Sequence, residues 1–174
     1  CELVDATPRL KPMTYNADVW EDFKPNTAQE DALRNVCSSA VSILVGPPGS
    51  GKSGLLKALI TLAKDHRMSV KLLAPTGKAA RRMTELTGEE ASTIHRELTF
   101  AQFDSRIEGD LVVVDEASMV DVELMADLMK VMRRGQRLML VGDANQLPSI
   151  GPGQVLKDLL ECGHFPVTRL IEIY

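Results

Sequence analysis

Residues 41–53 read VSILVGPPGSGKS, an apolar run of strand length that breaks into a glycine- and proline-rich turn ending on Lys52-Ser53. The turn, GPPGSGKS at 46–53, matches G-x-x-x-x-G-K-[ST] in full. Beyond it Leu55, Leu56, Leu59, Ile60 and Ala63 fall on one helical stripe. Strand, loop and helix in that order are the context a phosphate-cradling loop needs. Gly46, Gly49 and Gly51 let the backbone close around phosphate oxygens with its N–H groups turned inward. A helix starting near Lys52 adds the positive end of its dipole. Lys52 is expected to reach the β- and γ-phosphates and the Ser53 hydroxyl to ligate Mg²⁺, with Ser50 and Gly54 completing the nucleotide contacts.

Outward from this loop the pattern alternates. VKLLA (70–74), LVVVD (111–115), LMLVG (138–142) and VTRLI (167–171) have strand length, and helical segments lie between them. In one of these Val122, Met125, Leu128, Met129 and Met132 form a stripe, read as core, and Arg133-Arg134-Gly135 supplies the cations and glycine of a helix end. Strands without polar alternation, separated by helices, predict an α/β fold with a central parallel sheet. Thr27-Ala-Gln-Glu30 has the form of a capping box opening a helix to about Ala40. Residues 1–25, punctuated by Pro8, Pro12 and Pro25, read as an irregular lead-in of unknown role.

In a parallel sheet all carboxyl ends share one edge, where ligands bind. Four strands here run directly into small or chemically active residues: Gly46-Pro-Pro-Gly, Pro75-Thr-Gly-Lys, Asp115-Glu116 and Gly142-Asp143. They are expected to converge in space. Asp115, at the end of LVVVD, is placed to hold Mg²⁺ through water, and Glu116 to orient or deprotonate an attacking water. A nucleoside triphosphatase is the minimum reading.

Composition bounds the partners. The 174 residues suit one domain, 44% are hydrophobic and 25% charged, and 20 Lys and Arg against 24 Asp and Glu leave a net charge of −4. No apolar stretch approaches the roughly 20 residues that span a bilayer, and a uniformly basic nucleic-acid coat is excluded. A nucleic-acid partner would need a local groove. Cys1, Cys37 and Cys162 lack metal or redox spacing and predict reduced thiols in a cytoplasmic protein. A first residue other than Met fits a fragment of something longer.

Other phosphate-loop classes leave signatures that can be checked. No Lys is followed two residues later by Asp, so the guanine-reading N-K-x-D is absent, and L-S-G-G-Q is absent as well. Arg133, Arg134 and Arg137 are the nearest cluster to an arginine-bearing kinase lid, and read better as surface charge.

What remains are LLAPTGKAARRMTELTG (72–88), ASTIHREL (91–98), VVVDEASMVD (112–121) and LMLVGDANQLPSIGPGQVLKDLL (138–160). In this order, with GPPGSGKS, they resemble the RecD-like DNA helicases of superfamily one over residues 26–174. The resemblance implies a RecA-like, three-layer P-loop NTPase fold, with 26–174 as the first of two RecA-like motor domains. It implies ATP and Mg²⁺ as cofactors and single-stranded DNA as partner, with movement from 5′ to 3′. It further implies subunits of a recombination or repair complex as partners, and no membrane.

By the same resemblance Gln29 reads the adenine edge, and Gln146 senses the γ-phosphate and couples it to DNA, with Asp143 ordering its loop. Pro75, Thr76 and Lys78 match one motif that touches single-stranded DNA, and Thr93 and His95 a second. Arg81 and Arg82 either extend that groove or sit on a solvated helix face. Family members continue with an Arg-Gln pair and a second motor domain that supplies an arginine finger, whereas this chain ends at Ile173-Tyr174. The chain alone is therefore expected to bind nucleotide and to hydrolyse it slowly. The alternative is a nucleotide-binding docking or regulatory module without motor activity.

Overall fold

Side chains alternate across a strand, and here both faces are buried. In β1 (Val41–Val45) Leu44 points into one apolar cluster, while Val41, Ile43 and Val45 point into another. In β4 (Leu111–Val114) Leu111 and Val113 join the first cluster and Val112 and Val114 the second. Such strands can sit only between two helical layers. The structure, a computed structural model, describes residues 10–104, 106–143, 146 and 151–171. Cys1, the 147–150 part of GDANQLPSIGPG and Ile173-Tyr174 lie outside them.

The remaining strands are β2 (Val70–Ala74), β3 (Ala91–Thr93), β5 (Arg137–Gly142) and β6 (Val167–Arg169). They form one sheet in the order β3-β2-β4-β5-β1-β6, and every pairing is parallel. Helices α1 (Thr27–Ser38), α2 (Lys52–Asp65) and α3 (Gly77–Thr87) contribute Leu33, Leu55, Leu59 and Met83 to the first cluster. Helices α4 (Ile94–Asp104), α5 (Val122–Val131) and α6 (Val155–Cys162) contribute Ile94, Leu128 and Leu156 to the second. The predicted three-layer α/β architecture is present. Among the described residues no helix is long and apolar enough to cross a membrane.

Several boundaries move, each for a local reason. The first helix is capped by Asn26, whose side chain accepts from the Gln29 N–H while the Gln29 side chain accepts from the Asn26 N–H. The capping box is thus Asn26–Gln29 rather than Thr27–Glu30, and the helix ends at Ser38. Val122 lies exposed at the first position of α5, and Leu124 takes its place on the buried stripe with Met125 and Leu128. Residues 10–25 are irregular apart from a 3-10 turn at Ala17–Val19, yet they dock closely. Met13 is buried in the first cluster, Trp20 Nε1 donates to Ala58 O at 2.9 Å, and Lys11 Nζ donates to Arg67 O at 2.7 Å.

Arg137 departs from its reading as surface charge. Only 3% exposed, it donates from Nε to Val36 O, from Nη2 to Cys37 O and from Nη1 to Lys11 O, at 2.8–2.9 Å. The first two are carbonyls of the last turn of α1, which have no partner within their helix.

The two described cysteines differ in kind. Burial pushes the Cys37 thiol up to about 11, against the pull of Arg137 and Arg34, whereas Cys162 is exposed near the end of α6. Since the thiolate is the nucleophile, iodoacetamide at about pH 8 is expected to alkylate Cys162 and spare Cys37 in the folded chain. Peptide mass spectrometry checks this, and equal labelling would show that the α1 packing does not protect the thiol.

Candidate active site

The carboxyl edge of the sheet gathers what the sequence spreads over a hundred residues. After β1 the loop turns through Gly49 and Gly51, at φ of 81° and 84°, conformations that glycine adopts without steric cost. Gly51 then caps α2, which begins at Lys52. Gly46 admits no side chain, because a Cβ there would lie 2.5 Å from Ser50 Oγ. Lys52 Nζ folds back to donate to the carbonyls of Gly46 and Pro47.

A cavity of about 310 Å³ opens over this loop, lined by Lys52, Ser53, Asp115, Glu116, Asp143 and Gln146 among others. The ends of β1, β4 and β5 thereby meet at one hollow, as the sequence predicts for Lys52, Ser53, Asp115, Glu116 and Gln146, whereas the segment after β2 does not line it and α3 enters through Arg82 and Leu86 instead. Gly49 and Gly51 line it as well. Gly54 sits in the first turn of α2 and faces Phe23, whose ring would lie 3.7 Å from a Cβ added there. Gln29 is buried and its side-chain oxygen serves the cap of α1.

The hollow is electrostatically loaded. Burial lowers the Lys52 ammonium from its ordinary value, against the opposing pull of Asp143, Asp115 and Glu116. Burial likewise raises the Asp115 carboxyl, with repulsion from Glu116 adding to it, while the Glu116 N–H, Lys52 and Arg82 oppose the rise. Glu116 adopts φ 53° and ψ 38°, the left-handed region, and its N–H donates to Asp115 Oδ1 at 2.9 Å. For a residue with a Cβ this conformation costs about 1–2 kcal/mol. Strain of this kind clusters at working residues.

One polar atom of the loop is unpartnered. Ser50 Oγ is buried within the phosphate loop and has no hydrogen-bond partner among the described residues. A buried hydroxyl without a partner is costly, and phosphate oxygens at the loop would supply one. The Ser53 hydroxyl and Asp115 carboxylate are hard oxygen donors suited to Mg²⁺, which keeps water and takes phosphate oxygens as further ligands. Among the described residues no cluster of three or more His, Cys, Asp or Glu could hold a metal by itself.

Pro75, Thr76 and Lys78 follow β2, and Thr93 and His95 follow β3. The two strands pair with Ala74 opposite Thr93, so the segments are neighbours on the same edge. Both threonines also serve as caps: Thr76 Oγ1 accepts from the Ala79 N–H and Thr93 Oγ1 from the Arg96 N–H, each at 3.2 Å. Lys78 and His95 are exposed.

Two residues join the site without having been singled out for it. Ser118 Oγ donates to Gln146 Oε1 at 3.1 Å, tying the loop after β4 to the loop after β5. Its place two residues beyond Glu116 was the available signal. Arg82 lines the phosphate cavity, while Arg81 turns outward and pairs with Glu85 at 3.0 Å.

Comparisons with known proteins bear on family and fold. A family described as an AAA domain matches residues 24–174. The chain is 39% identical over 152 residues to the ATP-dependent RecD2 DNA helicase of Deinococcus radiodurans, covering 84% of this chain and 21% of that protein. It is 36% identical over 194 residues to the RecBCD enzyme subunit RecD of Mycolicibacterium smegmatis, covering 92% of this chain and 35% of that one. It therefore spans about a fifth to a third of these curated relatives. In fold it resembles the Pif1 helicase of Candida albicans, with a TM-score of 0.64 at 22% identity, covering 87% of this chain and 41% of that chain.

Proposed function

Because this chain belongs to the AAA domain family and its sequence is similar to RecD helicases, we propose that it is the ATP-hydrolysing motor domain of a DNA helicase. The observation that carries the reading is the single cavity joining Lys52, Ser53, Asp115, Glu116 and Gln146, beside the edge that bears Pro75 to His95. ATP is the nucleotide and single-stranded DNA the track, followed from 5′ to 3′. A second RecA-like domain, and subunits of a recombination or repair complex, are the proposed partners.

The residues divide the work. Loop N–H groups and Lys52 bind the phosphates, and Lys52 exchanges its bonds to Gly46 O and Pro47 O for bonds to the β- and γ-oxygens. Gln29, Gly46, Gly49, Ser50, Gly51 and Gly54 complete the nucleotide seat, and Ser53 and Asp115 hold Mg²⁺, Asp115 through water. When bound, Mg²⁺ neutralises charge on the β- and γ-phosphoryl oxygens. Glu116 accepts the proton of the attacking water. Gln146, with its carbonyl oxygen held by Ser118, turns its amide N–H groups toward the phosphate side. Pro75, Thr76, Lys78, Thr93 and His95 offer hydroxyl, ammonium and imidazole groups to a DNA backbone, contacts that position a strand without reading its sequence. A local groove of this kind needs no overall basic charge, which accommodates the net −4.

The test is a nucleotide titration. Lys52→Ala is expected to weaken binding of Mg-ATP by the chain at least about tenfold, since a charge-assisted contact is worth roughly 1.5–3 kcal/mol. A fluorescent ATP analogue reports it. Wild-type affinity in the variant would overturn the phosphate-loop assignment. Absence of single-stranded DNA binding by the protein joined to its second domain would overturn the helicase reading.

A further inference from the structure

We propose that Arg82 is a catalytic residue of this ATP site, its guanidinium binding the γ-phosphoryl oxygens from within the domain. The inference rests on the nucleotide-site reading above. Arg82 lies in the middle of α3 and lines the cavity shared by Lys52, Ser53, Asp115, Glu116 and Gln146. Its neighbour Arg81 points away and spends its charge on Glu85, and Leu86, one turn beyond Arg82, lines the same cavity. Arg82 and Leu86, both exposed, thus mark the face of α3 that borders the cavity, and Arg81 lies outside that border.

Arg82 forms no ion pair with a carboxylate among the described residues. It is nonetheless near enough to disfavour the charged form of Lys52 and to favour that of Asp115. Two cations lining one hollow repel each other unless an anion lies between them. A triphosphate is such an anion, and a planar guanidinium matches two phosphoryl oxygens at once.

The chemistry follows from that position. The oxygen of a water attacks Pγ, its proton passes to Glu116, and the bond from Pγ to the β,γ-bridging oxygen breaks, leaving ADP and inorganic phosphate. Charge spreads over the equatorial oxygens of the transferred group as this happens, and a cation held against them stabilises that state. Arg82 is also tied to the other end of its helix. Lys78, a proposed DNA contact, lies four residues earlier on the same side of α3, about 6 Å along the axis. A strand that shifts the first turn of α3 would carry Arg82 with it.

The experiment compares wild type, Arg82→Ala and Arg82→Lys in equilibrium titrations with ADP, with ATPγS and with oligo-dT, all in Mg²⁺. Arg82→Ala is expected to lose about tenfold or more in ATPγS affinity, with ADP and oligo-dT affinities within about twofold of wild type. Arg82→Lys, which keeps the charge and loses the fork, should recover part of the loss. Unchanged ATPγS affinity, equal losses for ADP and ATPγS, or a loss confined to oligo-dT would each overturn the proposal while leaving the nucleotide site standing. A wild-type chain that binds neither nucleotide overturns both. Circular dichroism identifies a misfolded variant, and the Lys variant then carries the comparison.

Discussion

Glu116→Gln, placed in the protein with its second motor domain, is expected to lower DNA-stimulated ATP hydrolysis by about 10²–10⁴-fold. Nucleotide affinity should stay within about twofold, because phosphate binding rests on the loop and Lys52 rather than on this carboxylate. Gln keeps the shape of Glu and the same backbone N–H to Asp115 Oδ1, so the geometry around the water survives while the proton acceptor does not. Steady-state phosphate release against a titration of ATP analogue separates the two effects. A second substitution removes the remaining ambiguity. Glu116→Gly also deletes the base but relieves the left-handed backbone at φ 53°. It should therefore match Gln in lost turnover without lowering the melting temperature. Loss of nucleotide binding in Glu116→Gln would mean that the carboxylate belongs to the phosphate seat instead.

The phosphate loop and the strands beside it were legible because several signals agree there. An apolar run, a full motif and a helical stripe occupy the 23 consecutive positions 41–63, and β1, the positive-φ glycines and α2 follow them in order. The same logic located β2, β4 and β5. It missed β3, because Ala91-Ser92-Thr93 carries no large apolar side chain and is a strand only through its pairing with Leu72, Leu73 and Ala74. It overran β6, where Leu170 and Ile171 continue the apolar pattern past the last paired residue. At the site, residues within a local motif were found and residues that act across the fold were not. Arg82 and Arg81 are adjacent in sequence and about 100° apart around the helix, yet only Arg82 lines the cavity, a distinction that depends on how α3 is rotated against the sheet. Ser118 and Gln146 meet although they are separated by 28 positions. Arg137 was the largest miss, because a third arginine after Arg133-Arg134 resembles surface charge until α1 is laid over it.

Arg137→Met should cost about 3 kcal/mol or more of folding stability, the largest effect expected outside the catalytic cavity. The guanidinium reaches three backbone carbonyls, those of Lys11, Val36 and Cys37, and the last two belong to the end of α1. Met fills similar volume but donates to none of them. Each carbonyl left buried without a donor costs roughly 1–3 kcal/mol, and the recovered desolvation of the guanidinium offsets part of the sum. The positive charge also complements the negative end of the α1 dipole, a contribution Met cannot replace. For a domain of this size the melting temperature should fall by about 6–12 °C. Arg137→Lys should fall between wild type and Met, since one ammonium keeps the charge but cannot span three acceptors on separate segments. Arg81→Ala sets the scale: its exposed i,i+4 pair with Glu85 should be worth less than about 0.5 kcal/mol. Equal thermal denaturation midpoints for Arg137→Met and Arg81→Ala would mean that water satisfies the end of α1 as well as the buried arginine does. Because α1 carries Gln29, the proposed reader of the adenine edge, near its other end, loosening this 12-residue helix should also weaken adenine discrimination in the folded fraction. The phosphate loop, held by β1 and α2, should be left unchanged.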